Sequence, residues 1–434
     1  MRNNEREIAI YTLMDIIGEK AFGSVALRKE LVRHGDLARV QKAFVTELVN
    51  GVLRNLIYID YVIAYFSKTP IHKLRPFILN NLRVGIYQMK YLDKVPDYAV
   101  CSDAVKLAKA HGFGSLAGFV NGVLRAVARC DELPMPDGAD LARFLSVKYS
   151  YQLWMIEHFL QEFGEDATRA MLEANAVPPE ITIAVNTVKI SANELAQVLT
   201  SEGVDVKRTP FVENALIISK TDNLRDLDSF KRGLYHVMDI SSMLAVLAAN
   251  PVPGEAILDL CAAPGGKSMF AAYLTGGEAK IIMRDIHEHK IGQMRENMER
   301  TGISSTIGLG DAAQYCFELD SSADLVIIDA PCSALGNIRK QPDIKLNRQE
   351  QDINDLAALQ RNIVAASWAY AKPGGRILYS TCTLSRKENE DNVRWMTENF
   401  ALELLSERTI KPQDMGTDGF YIAVLRRIDN REES

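Results

Sequence analysis

The sequence predicts an α/β protein in three parts: an all-helical beginning, a small α+β middle and a doubly wound, largely parallel sheet at the end. Three observations lead there. Early in the chain apolar residues recur every fourth position, as in Val40, Phe44, Leu48 and Val52. From about residue 254 short apolar runs alternate with helical patterns, which is how a parallel sheet flanked by helices reads. Between these lies a stretch where both periods occur. The 434 residues allow several domains, at roughly 100–200 residues each.

The first part is placed at 1–135. "FILNNLRVGIYQMKYL" continues the helical pattern and Pro96 interrupts after it. "SDAVKLAKAHG" offers Ser102 as a cap and closes on Gly112, and "GFVNGVLRAVAR" adds a helix with Arg125 and Arg129. The Pro- and Asp-rich "CDELPMPDGAD" (130–140) reads as a linker. The second part is placed at 141–240. "YQLWMIEHFLQEFG" and "ATRAMLEAN" are helical, "VPPE" breaks the pattern and "ITIAVN" is a strand. "SANELAQVLTSEG" is a helix with a Ser191/Glu194 capping box and a terminal Gly203. "ENALIIS" and "GLYHVMD" are further strands. The third part, 241–434, runs "EAILDLCA", a glycine turn, "KSMFAAYLTG", "AKIIMRD", "HKIGQMRENMERTG", "STIGLGD", "ADLVIIDA", a long loop, "LAALQRNIVAASWAYA" and "GRILYST".

Composition excludes some classes and favours others. No apolar run approaches the roughly 20 residues needed to span a bilayer. The N-terminus lacks a signal-peptide core. Six cysteines without a CxxC pair make neither a disulfide framework nor a zinc site, and point to a reducing, cytoplasmic setting and no metal. The net charge of −6 is uneven: residues 1–130 hold 19 Lys+Arg against 11 Asp+Glu. A basic third on an acidic body suits an anionic partner for that third.

The chemistry is expected at the C-terminal lip of the parallel sheet, where such sheets bind ligands. "ILDLCAAPGGKS" reads as strand, tight turn and helix. It is neither a P-loop nor GxGxxG. Gly265 and Gly266 let backbone approach a ligand. Asp285 ends the next strand, where an acid can hold two ribose hydroxyls, and Asp311 ends the third, within reach of an adenine amino group. With no phosphate-binding lysine motif, the expected ligand is an adenosine without phosphates. Two more strands run out into Cys332 ("DLVIIDAPCS") and Cys382 ("YSTCTLSRKENE"), a pair that suggests one cleft. Carbon 5 of a pyrimidine is a poor nucleophile. A thiolate adding at carbon 6 makes it enamine-like, splitting one hard step into easier ones. Arg386 and Lys387 are the cations expected to favour that thiolate. Asp329 is placed to meet the base at N3. Cys101, Cys130 and Cys316 read as small hydrophobes, and Cys261 as packing in the glycine turn.

Together "DLCAAPGGKS", "DAPCSALGNIRKQPDIK", "YSTCTLSRKENE" and "DGFYIA" resemble the RNA 5-methylcytosine methyltransferases of the Nol1/Nop2/Sun family. The helical first part, including "FVNGVLR", resembles the NusB-type RNA-binding fold, and the arrangement is similar to the bacterial RsmB (Sun/Fmu) branch. The resemblance implies a Rossmann-like methyltransferase domain at 241–434 behind an all-α NusB-like domain and a small α+β domain. It implies small-subunit ribosomal RNA as substrate and S-adenosyl-L-methionine as cofactor, bound by Cys261, Ala262, Ala263, Pro264, Gly265, Gly266, Lys267, Asp285, Asp311 and Asp329. It makes Cys382 the nucleophile and Cys332 the residue that aids product release. Arg284, "GDAAQYC" and Leu346 depart from the family pattern. The loop 336–348 carries Arg339, Lys340, Lys345 and Arg348, expected to contact phosphates. A monomer without membrane association is expected. The competing readings are a methyltransferase of transfer RNA or large-subunit RNA, and a non-catalytic RNA-binding assembly or antitermination factor.

Overall fold

The computed structural model describes residues 4–19, 21, 23–220 and 223–428. It divides into two compact units, Met1–Val177 with Ile338–Arg348, and Pro178–Asn337 with Gln349–Ser434. This packing cuts the chain differently from the boundaries read above. The helices Leu141–Tyr149 and Leu153–Ala176 join the helical unit, and the loop after Cys332 sends a segment back into it.

The helical unit is built around Pro76–Tyr91, a helix that buries residues on every side, among them Ile78, Leu82, Ile86 and Gln88. Arg83 on it is buried and forms a two-pronged pair with Asp60, at 2.7 Å for each prong. The helix Arg39–Arg54 turns Val45, Leu48, Val49 and Val52 inward, whereas Val40 is 80% exposed. The sequence reading included Val40 because it stands four residues before Phe44. A spacing of four overshoots the 3.6-residue turn by about 40° each time, so over three steps the stripe drifts off the buried face. Ser102 is no cap. Pro96 stands after the break that follows Tyr91 and caps the helix Asp97–Ala110, and Ser102 lies exposed inside that helix.

In the second unit, β1 (Ile181–Val185), β2 (Asp205–Arg208), β3 (Ala215–Ser219) and β4 (Tyr235–Val237) form an antiparallel sheet in the order β2-β3-β1-β4. The Ser191 hydroxyl accepts from the Glu194 amide at 3.3 Å, and Glu194 accepts from the Ser191 amide at 3.0 Å, so the capping box forms as expected. A seven-stranded sheet follows: β5 (Ala256–Asp259), β6 (Lys280–Asp285), β7 (Ser305–Leu309), β8 (Ala323–Asp329), β9 (Ala371–Thr381), β10 (Leu402–Ile410) and β11 (Phe420–Arg427). Its order is β10-β11-β9-β8-β5-β6-β7. The strands from β9 to β7 in that order are parallel, and β11 and β10 add antiparallel pairs at one edge. The chain builds outward from β5 through β6 and β7, then returns to build β8 and β9 on the other side. That reversal opens a crevice beyond the ends of β5 and β8. The small sheet is bonded to the helix Glu288–Thr301. Asn186 donates to the carbonyls of Gly233 and Thr301 at 2.9 Å each, and Arg300 donates to those of Phe230 and Tyr235. No helix among the described residues is long and apolar enough to cross a membrane.

Candidate active site

Two thiols meet beyond the crevice. Cys332 follows β8 and Cys382 follows β9, and their sulfurs lie 3.3 Å apart. Parallel pairing of these strands, with Asp329 opposite Ser380, brings the two loops side by side. Neither thiol is part of a disulfide. Cys332 is buried, whereas Cys382 is partly exposed. The Cys382 sulfur beside it, then burial, push the Cys332 thiol well above its ordinary value. Cys332 therefore keeps its proton and can donate it toward the Cys382 sulfur.

The loops are held by groups that sequence reading missed. Glu388 is fully buried and accepts from the Ser333 amide at 2.9 Å, from the Ser333 hydroxyl and from Gln360 at 3.0 Å. Ser333 belongs to the Cys332 loop and Glu388 to the Cys382 loop, so one carboxyl ties the two together. Burial raises its pKa. The Tyr379 hydroxyl donates to the Glu388 carbonyl at 2.6 Å, and Asn389 accepts from Thr381 and donates to the Thr383 carbonyl. In the sequence Glu388 sits in "SRKENE", which reads as a solvated charge run. Arg386 and Lys387 do behave that way. Arg386 pairs with Asp391 at 3.7 Å, and Lys387 donates to Asn354 at 2.7 Å. The amide of Gly336 donates to the Cys382 carbonyl at 3.0 Å, and Gly419 donates to that of Gly336 at 2.8 Å. A Cβ on either glycine would collide with the other's backbone, so "LGN" and "DGF" are glycines of close approach.

Asp329 accepts from Lys267 at 2.6 Å and from the Ser380 hydroxyl at 2.8 Å. Lys267 is almost buried in the first turn of the helix Gly266–Leu274, 5.2 Å from the Phe420 ring. This lysine is thus spent on a carboxylate, as fits a site for a ligand without phosphates. The turn before it carries Gly265 at φ +104°, where a Cβ would lie 3.0 Å from the Met283 terminal methyl. The amide of Ala262 donates to the Arg284 carbonyl at 2.9 Å, fastening the turn to β6. Asp285 accepts from the Ala263 amide at 3.2 Å and the His287 amide at 2.9 Å, one on each oxygen. Each oxygen keeps a second acceptor site for a ligand hydroxyl. Asp311 accepts from Ala313 at 2.9 Å. Burial raises the Cys261 thiol, as fits a packing role.

Asp259 lies under the turn. One oxygen accepts from Ser268 at 2.7 Å, and the other is buried without a partner. Burial above all pushes its pKa from 3.8 to about 7. Between those values the native protein holds a proton that the unfolded chain has lost, so stability falls as pH rises through that window. Asp259→Asn removes this titration. From acid to pH above 7 the stability difference should widen by about 4 kcal/mol in favour of the variant. Denaturant melts across that range measure it, and a gap independent of pH would contradict the assignment.

The basic loop is placed otherwise than expected. Arg339 and Lys345 are buried. Arg339 donates to the Val177 carbonyl at 2.8 Å. Lys345 donates to the carbonyls of Arg54 at 3.0 Å and Tyr149 at 2.8 Å, 4.2 Å from the Tyr151 ring. Burial lowers its pKa to about 7. Leu346 packs against the helical core, and Gln152 donates to the carbonyls of Lys345 and Arg348. The segment is an anchor within the helical unit, so Arg339 and Lys345 are withdrawn as phosphate contacts. Lys340 is exposed and Arg348 partly so. No cluster of metal-ligating side chains occurs among the described residues.

Comparison with known proteins fits this geometry. A family model described as 16S rRNA methyltransferase RsmB/F matches residues 246–426. The NusB family matches 3–129, and the ferredoxin-like domain of RsmF/B-like methyltransferases matches 151–225. The chain is 32% identical to the "Probable ribosomal RNA small subunit methyltransferase B" of Bacillus subtilis, over 98% of this chain and 99% of that protein. The chain belongs to the RsmB/F methyltransferase family. It is 31% identical to ribosomal RNA small subunit methyltransferase B of Erwinia tasmaniensis, over 97% and 98% of the two chains. The crystal structure of PH0851 superposes with a TM-score of 0.82 at 25% identity, over 98% of this chain and 99% of that one. A methyltransferase homologue from Pyrococcus horikoshii superposes at 0.59 with 27% identity, covering 67% of this chain and all of that one. The expected fold class, an all-α NusB-like part, a small α+β part and a Rossmann-like methyltransferase part, stands. In RsmB/F terms the paired cysteines lie in the methyltransferase part, and so do the glycine turn and its acids.

Proposed function

We propose that this RsmB/F methyltransferase modifies carbon 5 of a cytosine in small-subunit ribosomal RNA through a covalent thioether at carbon 6. The observation that carries this reading is the pair of sulfurs at 3.3 Å beside the Lys267–Asp329 pair. One thiol suffices for attack alone. A second, more buried and holding its proton, suits the departure of the first.

The target base leaves its stack to enter the crevice, because carbon 6 is out of reach in a helix. Cys382, as thiolate, adds to carbon 6. The Lys267–Asp329 pair meets N3 and supplies the proton that this addition calls for. Bound S-adenosyl-L-methionine, which the turn 261–267 with Asp285 and Asp311 would hold, would supply an electrophilic methyl group to carbon 5 and keep the electron pair of the broken sulfur–methyl bond. The carbon 5 proton then passes to a base, Cys382 leaves as thiolate with the Cys332 S–H hydrogen-bonded to the departing sulfur, and N3 returns its proton to the Lys267–Asp329 pair. Covalent catalysis of this kind replaces one hard step with several easier ones.

The test is methylation of a small-subunit ribosomal RNA transcript by the purified protein with S-adenosyl-L-methionine, mapped by bisulfite sequencing. One protected cytosine is expected. Methylation confined to transfer RNA or large-subunit RNA would correct the substrate. Methyl groups on a position other than carbon 5 would remove the need for a covalent step. Binding of RNA with no transfer would leave an assembly factor.

A further inference from the structure

One side chain reaches the glycine turn from behind. Asn297 lies partly exposed on the helix Glu288–Thr301, and its side-chain amide donates to the Pro264 carbonyl at 3.0 Å. Helix formation gives no reason for asparagine here, because it is a weaker helix former than alanine. The next residue, Met298, is buried under the turn, and a Cβ at Gly265 would lie 3.6 Å from its terminal methyl. One helix therefore supports the turn twice, by packing under Gly265 and by a hydrogen bond to Pro264. Behind Pro264 and Gly266 the packing opens into a groove of about 420 Å³, lined also by Phe230, His236, Gln293 and Asn297. On that side a polar bond, not close packing, restrains the turn.

The same helix is fixed at its far end by the small sheet. Arg300, three residues beyond Asn297, donates to the carbonyls of Phe230 at 2.9 Å and Tyr235 at 3.1 Å, and its guanidinium lies 3.9 Å from the centre of the Phe230 ring. Lys189 donates to the Arg300 carbonyl at 3.1 Å. The helix on the other side of the turn, Gly266–Leu274, is held by the same sheet. Thr187 donates to its Tyr273 carbonyl at 2.8 Å, and His236 Nδ1 lies 3.2 Å from the Tyr273 hydroxyl. The small sheet thus grips both helices that flank the turn, and the grip at Arg300 sets how far Asn297 reaches. Groups that bind a ligand hold their geometry when the residues behind them are locked in this way.

We propose that Asn297 is a positioning residue for S-adenosyl-L-methionine: its bond to Pro264 holds the turn 261–267 in place for the cofactor, and Arg300 holds Asn297 in reach by fixing its helix to the small sheet. The proposal rests on that turn being the cofactor site. It gives the small α+β part a share in cofactor binding, although none of its residues belongs to the turn.

The experiment is calorimetric titration of the full-length protein with S-adenosyl-L-methionine, alongside thermal melts without it. Asn297→Ala should raise the cofactor Kd by about five- to tenfold, the loss of one neutral hydrogen bond. The KM for the cofactor should rise by a similar factor, while kcat at saturating cofactor and the KM for RNA stay where they are. The cofactor-free variant should melt close to the parent, because alanine's helix preference offsets the lost bond. Asn297→Asp keeps the size but turns an acceptor toward a carbonyl, so it should bind the cofactor at least as weakly as the Ala variant. Arg300→Lys keeps the charge, loses the guanidinium fork and should weaken cofactor binding by a smaller factor. In the double variant Asn297→Ala with Arg300→Lys, affinity should equal that of Asn297→Ala alone, since one residue acts through the other. Additive losses would overturn the part assigned to Arg300. A lowered melting temperature with an unchanged Kd in Asn297→Ala, in a protein whose Asp285→Ala variant binds weakly, would overturn the proposal and leave the cofactor site standing. An unchanged Kd in both Asn297→Ala and Asp285→Ala would remove the cofactor from the turn, and the proposal with it.

Discussion

Cys382→Ala is expected to form no 5-methylcytosine and no covalent RNA complex, whereas Cys332→Ala is expected to accumulate a protein–RNA adduct that survives denaturing electrophoresis. The two sulfurs are only 3.3 Å apart, so distance cannot rank them. Exposure does, together with the proton that Cys332 retains. Cys382 is the partly exposed member. Cys332 is buried, and its neighbouring sulfur and that burial hold its proton in place. A thiol that stays protonated is a poor nucleophile and a good donor to a departing sulfur. Removing Cys382 removes the attack. Removing Cys332 spares the attack and methyl transfer and slows only the expulsion, so the adduct lingers. Replacing one small thiol by Ala at this junction leaves the Glu388 network intact, so both variants should fold. Denaturing gels with labelled RNA and S-adenosyl-L-methionine give the readout. An adduct from Cys382→Ala and none from Cys332→Ala would exchange the roles. Methylation intact in both variants, with no adduct, would remove the covalent mechanism.

Asp285→Ala should weaken S-adenosyl-L-methionine binding by about a hundredfold or more. Charge-assisted hydrogen bonds contribute roughly 1.5–3 kcal/mol each, and two ribose hydroxyls would lose their acceptor. The carboxylate also fastens the cofactor turn through the Ala263 amide, so its loss loosens the backbone as well. Asp285→Asn keeps one acceptor oxygen and should fall between the parent and the Ala variant. Calorimetric titration of the three proteins decides the matter. Equal affinities would release Asp285 from the cofactor site and leave it as a fastener of the turn.

Much of the architecture was legible from local pattern. Period and punctuation sufficed for the helical first part, the capping box at Ser191 and the strand–helix alternation after 254, because these are set by near neighbours in the chain. The glycine turn could be read because Gly265 takes a positive φ of +104°, which favours glycine. Errors came where a local rule left the decision to packing. Val40 fits a four-residue count and faces solvent, since the core lies on the side chosen by Val45 and Val49. Ser102 is a good cap residue in the middle of a helix whose start Pro96 determines.

By itself the sequence determined which residues could do chemistry: two cysteines at strand ends, three acids and a glycine turn. Tertiary structure alone decided what surrounds them. Parallel pairing of β8 with β9 put the two sulfurs in contact across fifty positions of sequence. Burial turned Glu388 from one charge among several into the tie between the two loops, and turned Arg339 and Lys345 from apparent phosphate contacts into internal anchors. The physical reason is the same in each case. A charged side chain reads as solvated until the fold supplies enough hydrogen-bond partners to offset its removal from water, and those partners come from distant parts of the chain.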